Sequence, residues 1–211
     1  MKEEIVPPNI DDRGTDALLI GGVSGIVAVV CFLVGYGTAW ALSPWYDFGG
    51  NYLSDLGVGE GAFAFNIGVM SAGLITIPFA WGLWNALPEY ILGKLGSVVC
   101  ALAGIFLFLV GVFPEDQVPT HYIVSVSFFA SLGVALMILA IPMIRSPVFR
   151  RVAAPLTIVI IVLSIVLVIP LGAGPLMETI AVLEALVWLS VASVQMILFA
   201  RSEQEEIPAQ E

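Results

Sequence analysis

Positive charge is scarce in this chain: seven Lys and Arg stand against seventeen Asp and Glu in 211 residues, with a single His. A nucleic-acid surface needs a basic patch or stripe, so nucleic acid is excluded as a partner. Two cysteines are too few for a disulfide framework or a Cys-built metal site. Charge of either sign amounts to 11% of residues, where soluble domains carry roughly 25%. With 59% of residues apolar and a mean hydropathy of +1.03, too little polar surface remains to cover a water-soluble core. The same figures exclude a disordered chain. The net charge of −10 argues against attraction to anionic head groups.

Long apolar runs are what the chain has instead. Residues 17–42, 61–87, 95–113, 122–144, 152–171 and 178–200 each reach the roughly 20 residues that a helix needs to cross about 30 Å of hydrocarbon. The run at 17–42 follows an acidic leader and is too long for a signal peptide, so it reads as a retained helix. The expectation is an all-α, polytopic membrane bundle of six transmembrane helices, 17–200, between acidic tails at 1–16 and 201–211.

Orientation follows from the few bases. Six spans place both tails and the second and fourth loops on one side. Lys2, Arg13, Lys94, Arg145, Arg150, Arg151 and Arg201 all fall there. Cytoplasmic loops carry the excess of Lys and Arg, which predicts cytoplasmic N and C termini in a multi-pass protein of the cell membrane. The acids divide differently. Asp47, Asp55, Glu60, Glu115, Asp116, Glu178 and Glu184 belong to the outer half, and no base accompanies them.

Packing signals are of the usual membrane kind. Gly21 with Gly25, and Gly68 with Ala72, are small pairs one turn apart that allow helices to approach closely. Pro78, Pro142 and Pro170 kink or end their spans. Trp40, Trp45, Tyr46 and Tyr52 form an outer aromatic belt, and Trp81, Trp84 and Tyr90 an inner one.

The polar residues of the outer half are the candidate site. The first loop, 43–60, alternates turn formers with aromatics and reads as a segment folded back on the bundle. Within it Ser54 and Asp55 suit a turn or helix start, where they accept backbone N–H bonds. The third loop brings Asp116, and His121 opens the fourth span with Ser125 on the same helix face. An inward His121 would take Asp55 or Asp116 as a partner. In the sixth span Glu178 suits the helix N-terminus. Glu184 lies about 9 Å deeper, so it faces the bundle rather than lipid. Trp188 and Gln195 share its stripe, and Asn66 in the second span adds a polar group to the interior.

These residues permit three functions. One is a lipid-binding or lipid-modifying protein with an outward-facing acidic and His pocket. In it His121 acts as general acid–base oriented by Asp55, or Asp55, Asp116, His121 and Glu184 hold a divalent metal ion. The second is a non-catalytic membrane scaffold or sensor. The third is a proton- or cation-coupled transporter routed through Glu184 and Gln195.

The motif Asn51-Tyr52-Leu53-Ser54-Asp55-Leu56-Gly57 after the first span, with Phe113-Pro114-Glu115-Asp116 and His121 before the fourth, resembles a mainly archaeal and bacterial family. Its members are six-span proteins of unknown function, DUF998. That family is distantly similar to the eukaryotic DRAM and GPI-anchor lipid-remodelling membrane proteins, which share a Ser-Asp-x-Gly-type first loop and a His in a later span. The resemblance highlights Ser54, Asp55, Gly57 and His121. It implies membrane lipids as partners and carries no catalytic mechanism with it.

Overall fold

The computed structural model describes residues 12–87 and 91–206, and six α-helices run through them. They are α1 (Asp12–Leu42), α2 (Ala62–Ala86), α3 (Ile91–Val112), α4 (Thr120–Arg145), α5 (Ala153–Leu171) and α6 (Pro175–Glu206), with a short 3-10 helix at Leu53–Gly57 in the first loop. Among the described residues no extended strand forms; a single parallel bridge joins Phe48 to Asn51. Five helices are long and apolar enough to cross a membrane, and α5 supplies a shorter apolar stretch, Ala153–Leu167. Residues 1–11, 88–90 and 207–211, which include Glu89 and Tyr90, lie outside the described residues.

Helices extend past the apolar runs at both ends of the chain. α1 starts at Asp12 and α6 continues to Glu206, so part of each expected acidic tail is helical. Hydrophobicity marks where a helix meets lipid, and a backbone already wound continues into water for a turn or more.

The helices form a ring in chain order, each packed against its sequence neighbours, and α6 closes it against α1. Contacts are densest from α1 to α4 and thin out around α5. The dense side rests on glycine. A Cβ placed on Gly82 would stand 2.8 Å from the Gly21 Cα, and one on Gly68 would stand 2.9 Å from the Gly35 Cα. The α1 and α2 backbones therefore touch at two levels, and in a bilayer such close packing drives helix association where the hydrophobic effect does not. Gly25, the other half of the first small pair, faces Ser193 of α6 and Phe79 of α2.

Outside the ring, apolar side chains stand unburied in rows. On α1, Ile20, Val23, Val27, Val30 and Val34 recur along one stripe, each at least 42% exposed. In water such a stripe would be an aggregation surface; against acyl chains it is the normal exterior. Inside, two cores stack along the axis. Phe79, Leu83, Leu139, Met143, Phe149 and Trp188 fill the end that carries the termini. Ala28, Phe32, Leu56, Phe65 and Val69 fill the other. Pro78 sits inside α2, while Pro142 and Pro170 sit in the last turns of α4 and α5, so none cuts its helix short.

The aromatic belts are real in part. Trp40 and Trp45 are about half exposed, and Lys94 lies 5.2 Å over the ring of Trp84. Tyr46 departs from the belt: it is buried, with Tyr36, Trp40 and Trp45 packed around its ring.

Replacing Gly82 with Leu forces the α1 and α2 backbones apart and is expected to destabilise the bundle by about 1–3 kcal/mol. Gly37→Leu, at a position with nothing within 4 Å, is expected to leave stability unchanged. Thermal unfolding of the detergent-solubilised variants compares the two.

Candidate functional site

The first loop does fold back on the bundle. Leu53 and Leu56 are buried, Gly49 turns the chain with a φ of +80°, and the Asn51 side-chain carbonyl accepts the Asp47 N–H at 2.9 Å. Asp55 accepts the Tyr52 N–H at 2.9 Å and so closes the start of the 3-10 helix, as a short acid at a helix start should. Asn66 of α2 donates to the Gly57 carbonyl at 3.0 Å. Its expected contribution to the interior is therefore to fasten this loop.

Glu178, in the first turn of α6, accepts the Leu53 N–H at 2.8 Å and also faces the N–H and hydroxyl of Ser54. Glu115, from the turn after α3, pairs with Asp55 and reaches the Ser54 hydroxyl. Three carboxyls from three separate segments thus converge on buried Ser54, at the end of the bundle away from the termini. Burial, the shared hydrogen bond with Asp55 and the Asp55 charge push the Glu115 carboxyl up to about 7, with the Glu178 charge adding and Ser54 opposing. Its Oε2 is closed to solvent and has no hydrogen-bond partner among the described residues.

Tyr46 lies alongside. Burial holds its phenol above the ordinary range, and neighbouring Tyr36 and the charges of Glu178 and Asp55 push the same way. The two tyrosine hydroxyls approach each other out of reach of solvent, and neither completes a hydrogen bond among the described residues.

Below the acids is a cavity of about 80 Å³ inside the ring, its walls apolar, with Phe32, Thr76, Leu107, Phe128, Val182 and Leu186 among them. Val182 and Leu186 lie one and two turns along α6 from Glu178. Phe32 stacks on Tyr36, with ring centroids 6.1 Å apart, and Tyr36 meets Tyr46 edge to face. The acid cluster and the cavity are thus successive levels of the same helices.

The remaining expected site residues lie elsewhere. His121 is buried, with Nδ1 2.8 Å from the Phe113 carbonyl and Nε2 3.1 Å from the Ser125 hydroxyl. Ser125 does share its face, but the partners expected in Asp55 and Asp116 are not the ones it has. The backbone carbonyl of Phe113, just past the end of α3, reaches the ring first. Asp116 points outward and is exposed, while its neighbour Glu115 turns in. Glu184 accepts the Ser164 hydroxyl at 2.6 Å, Trp188 donates to Thr157 at 2.8 Å, and Gln195 accepts the Ala153 N–H at 2.7 Å. The stripe of Glu184, Trp188 and Gln195 is inward, as expected, and all three members bind α5. Asp55, Asp116, His121 and Glu184 are consequently dispersed. Among the described residues no group of three or more His, Cys, Asp or Glu is placed to hold a metal ion, so the expected divalent-metal set does not assemble.

Glu115 and Tyr46 are the residues that sequence reasoning passed over. Glu115 adjoins Asp116, and a turn sends neighbouring side chains opposite ways; the order of two acids does not say which one turns in.

The Glu115 carboxyl carries a testable pH dependence. Its proton is held in the folded state up to about 7 and lost from the unfolded chain near the ordinary 4.5. Its contribution to stability is therefore greatest at low pH and declines as pH rises through that window. Wild-type melting temperature is expected to fall between pH 5 and pH 8. Glu115→Gln, which mimics the protonated acid, is expected to flatten that slope and melt higher than wild type at pH 8.

Comparison with known proteins places the site within a described family. Residues 26–201 match the family model described as protein of unknown function (DUF998), a span that includes every candidate residue from Ser54 to Gln195. No curated protein and no solved structure matches the chain. The chain belongs to the DUF998 family.

Proposed function

We propose that this protein is a six-span protein of the cell membrane, with both termini cytoplasmic, that binds a cationic amphiphile from the outer leaflet. The amine head would lie among Asp55, Glu115 and Glu178 and the chain would enter the apolar cavity beneath. The orientation rests on the basic residues: Lys94, Arg145, Arg150, Arg151 and Arg201 all lie at the end of the helices opposite the acids.

One observation carries the reading. Three carboxyls converge from separate segments with no Lys or Arg of the described residues among them, and an apolar cavity begins one turn further along α6 at Val182. Uncompensated acids in a partly buried site favour a cation from outside. At about 80 Å³ the cavity takes only the end of an aliphatic chain, whose methylenes its largely apolar walls suit.

Binding fits better than lipid modification. Both ring nitrogens of His121 are engaged by Phe113 and Ser125, which leaves the acid–base role without a free nitrogen. A second reading, a non-catalytic scaffold or sensor, is favoured by the α6 stripe, whose polar side chains all fasten α5. The transport reading has no such support, because Glu184 and Gln195 are committed to that seam and the cavity walls are apolar.

Titration with dodecylamine and with dodecyl sulfate, in nanodiscs of neutral lipid and followed by tryptophan emission, separates these readings. Saturable binding of the amine is expected, weakened at least tenfold in Asp55→Asn combined with Glu178→Gln, while that double variant leaves the response to dodecyl sulfate unchanged. No saturable amine binding, or amine binding unaffected in the double variant, would reject the proposal and leave the scaffold reading.

A further inference from the structure

The opposite end of the bundle carries a second, unrelated feature. Between the α4–α5 connection and the C-terminal half of α6 lies an open groove of about 710 Å³. Arg150, Arg151 and Ser202 stand at its rim, and Val152, Val194 and Leu198 belong to its floor. Both arginines are exposed, and neither has an ion pair among the described residues. No carboxylate lines the groove.

The arginines are held in place by their connection. Phe149 is fully buried beside them. Buried Ser146 donates its hydroxyl to the Ala86 carbonyl at 3.3 Å and accepts the Val148 N–H at 3.2 Å. The Arg150 N–H bonds the Ser146 carbonyl at 3.0 Å, and the Ala153 N–H is fixed to Gln195 of α6 at 2.7 Å. The backbone that presents the two guanidinium groups is therefore pinned at both ends before any ligand arrives, which lowers the ordering cost of binding.

We infer that this groove binds an anionic phospholipid, with its phosphate on Arg150 and Arg151 and an acyl chain along α6. Guanidinium groups match phosphate oxygens in paired hydrogen bonds, and basic pockets between helices at a membrane face are suited to anionic head groups. The floor distinguishes a lipid from a soluble anion. Val194 and Leu198 are 44% and 61% exposed and lead from the rim toward the hydrocarbon, where an acyl chain attached to the phosphate can lie along them and a soluble anion gains nothing. The net charge of −10 does not oppose this. Screening over about 8 Å at physiological salt removes the distant acids from account, and Glu203 and Glu205, beyond Ser202 at the rim, do not line the groove. This site is independent of the acidic one at the other end.

Native mass spectrometry of the full chain in neutral detergent tests it, with phosphatidylglycerol and phosphatidylcholine of identical acyl chains added in turn. Wild type is expected to retain one phosphatidylglycerol at least tenfold more tightly than phosphatidylcholine. R150Q combined with R151Q is expected to bring the two lipids to parity, while R145Q, outside the groove, keeps the preference. V194W retains the arginines and obstructs the floor, so it is expected to lose phosphatidylglycerol even though the charge is intact. The inference is overturned if wild type shows no preference or V194W binds as wild type does. It is equally overturned if the double arginine variant, melting like wild type, keeps the preference. Displacement of phosphatidylglycerol by an equal concentration of inorganic phosphate would assign the arginines to a free anion and overturn it too.

Discussion

A bilayer core offers a polar group no water, so each polar side chain in these helices has to find its partner within the protein. That constraint organises most of the molecule, the Tyr36 and Ser193 hydroxyls and the Glu184 Oε1 being exceptions among the described residues. Thr76, Ser97 and Ser190 turn back to carbonyls one turn earlier on their own helices, which satisfies them without recruiting a neighbour. Glu184, Trp188 and Gln195 reach across instead, and their partners Ser164, Thr157 and Ala153 all belong to α5. α5 is the helix with the thinnest packing. It is held by polar contacts where α1 and α2 are held by backbones in touch at glycine.

The two ends of the bundle solve opposite electrostatic problems. At one end, Asp55, Glu115 and Glu178 crowd around Ser54 without a cation. Backbone N–H groups of the first loop take up part of the charge, and a retained proton on Glu115 takes up more. The loop is thus fastened by the acids that it helps to neutralise, and loop conformation and protonation are linked. At the other end, Arg150 and Arg151 are presented on a pinned connection with no acid beside them in the groove. The acids at one end and the arginines at the other, each near apolar surface, are the basis of the two proposed amphiphile sites.

Much of this was legible beforehand. Five helices of spanning length follow from long, predominantly apolar runs, because burying about 20 backbone amides in lipid leaves the helix as the available form. Gly21 and Gly68 announced close contacts, although their partners Gly82 and Gly35 were not identified. Ser54 or Asp55 was expected to meet a free N–H at a helix start, and Asp55 does; the Ser54 hydroxyl faces Glu178 instead, and Glu178, expected to serve its own helix start, takes the Leu53 N–H of the first loop. The inward stripe on α6 was correct in direction. What it faces was not foreseen, since a helical wheel gives a face and not the neighbour on that side.

The amino-acid sequence by itself determined the membrane character, the helices and the segregation of charge between the two ends. All of these depend on local composition and on the free energy of moving a segment into hydrocarbon. Only the tertiary structure decided which acids meet. Glu115 rather than Asp116 joins Asp55, His121 spends both nitrogens on Phe113 and Ser125, and Glu184 serves α5 instead of a metal. These outcomes turn on angles of a few tens of degrees at turns and on the order in which helices close the ring. Such geometry comes from packing among residues far apart in the chain, and no local pattern of residues encodes it.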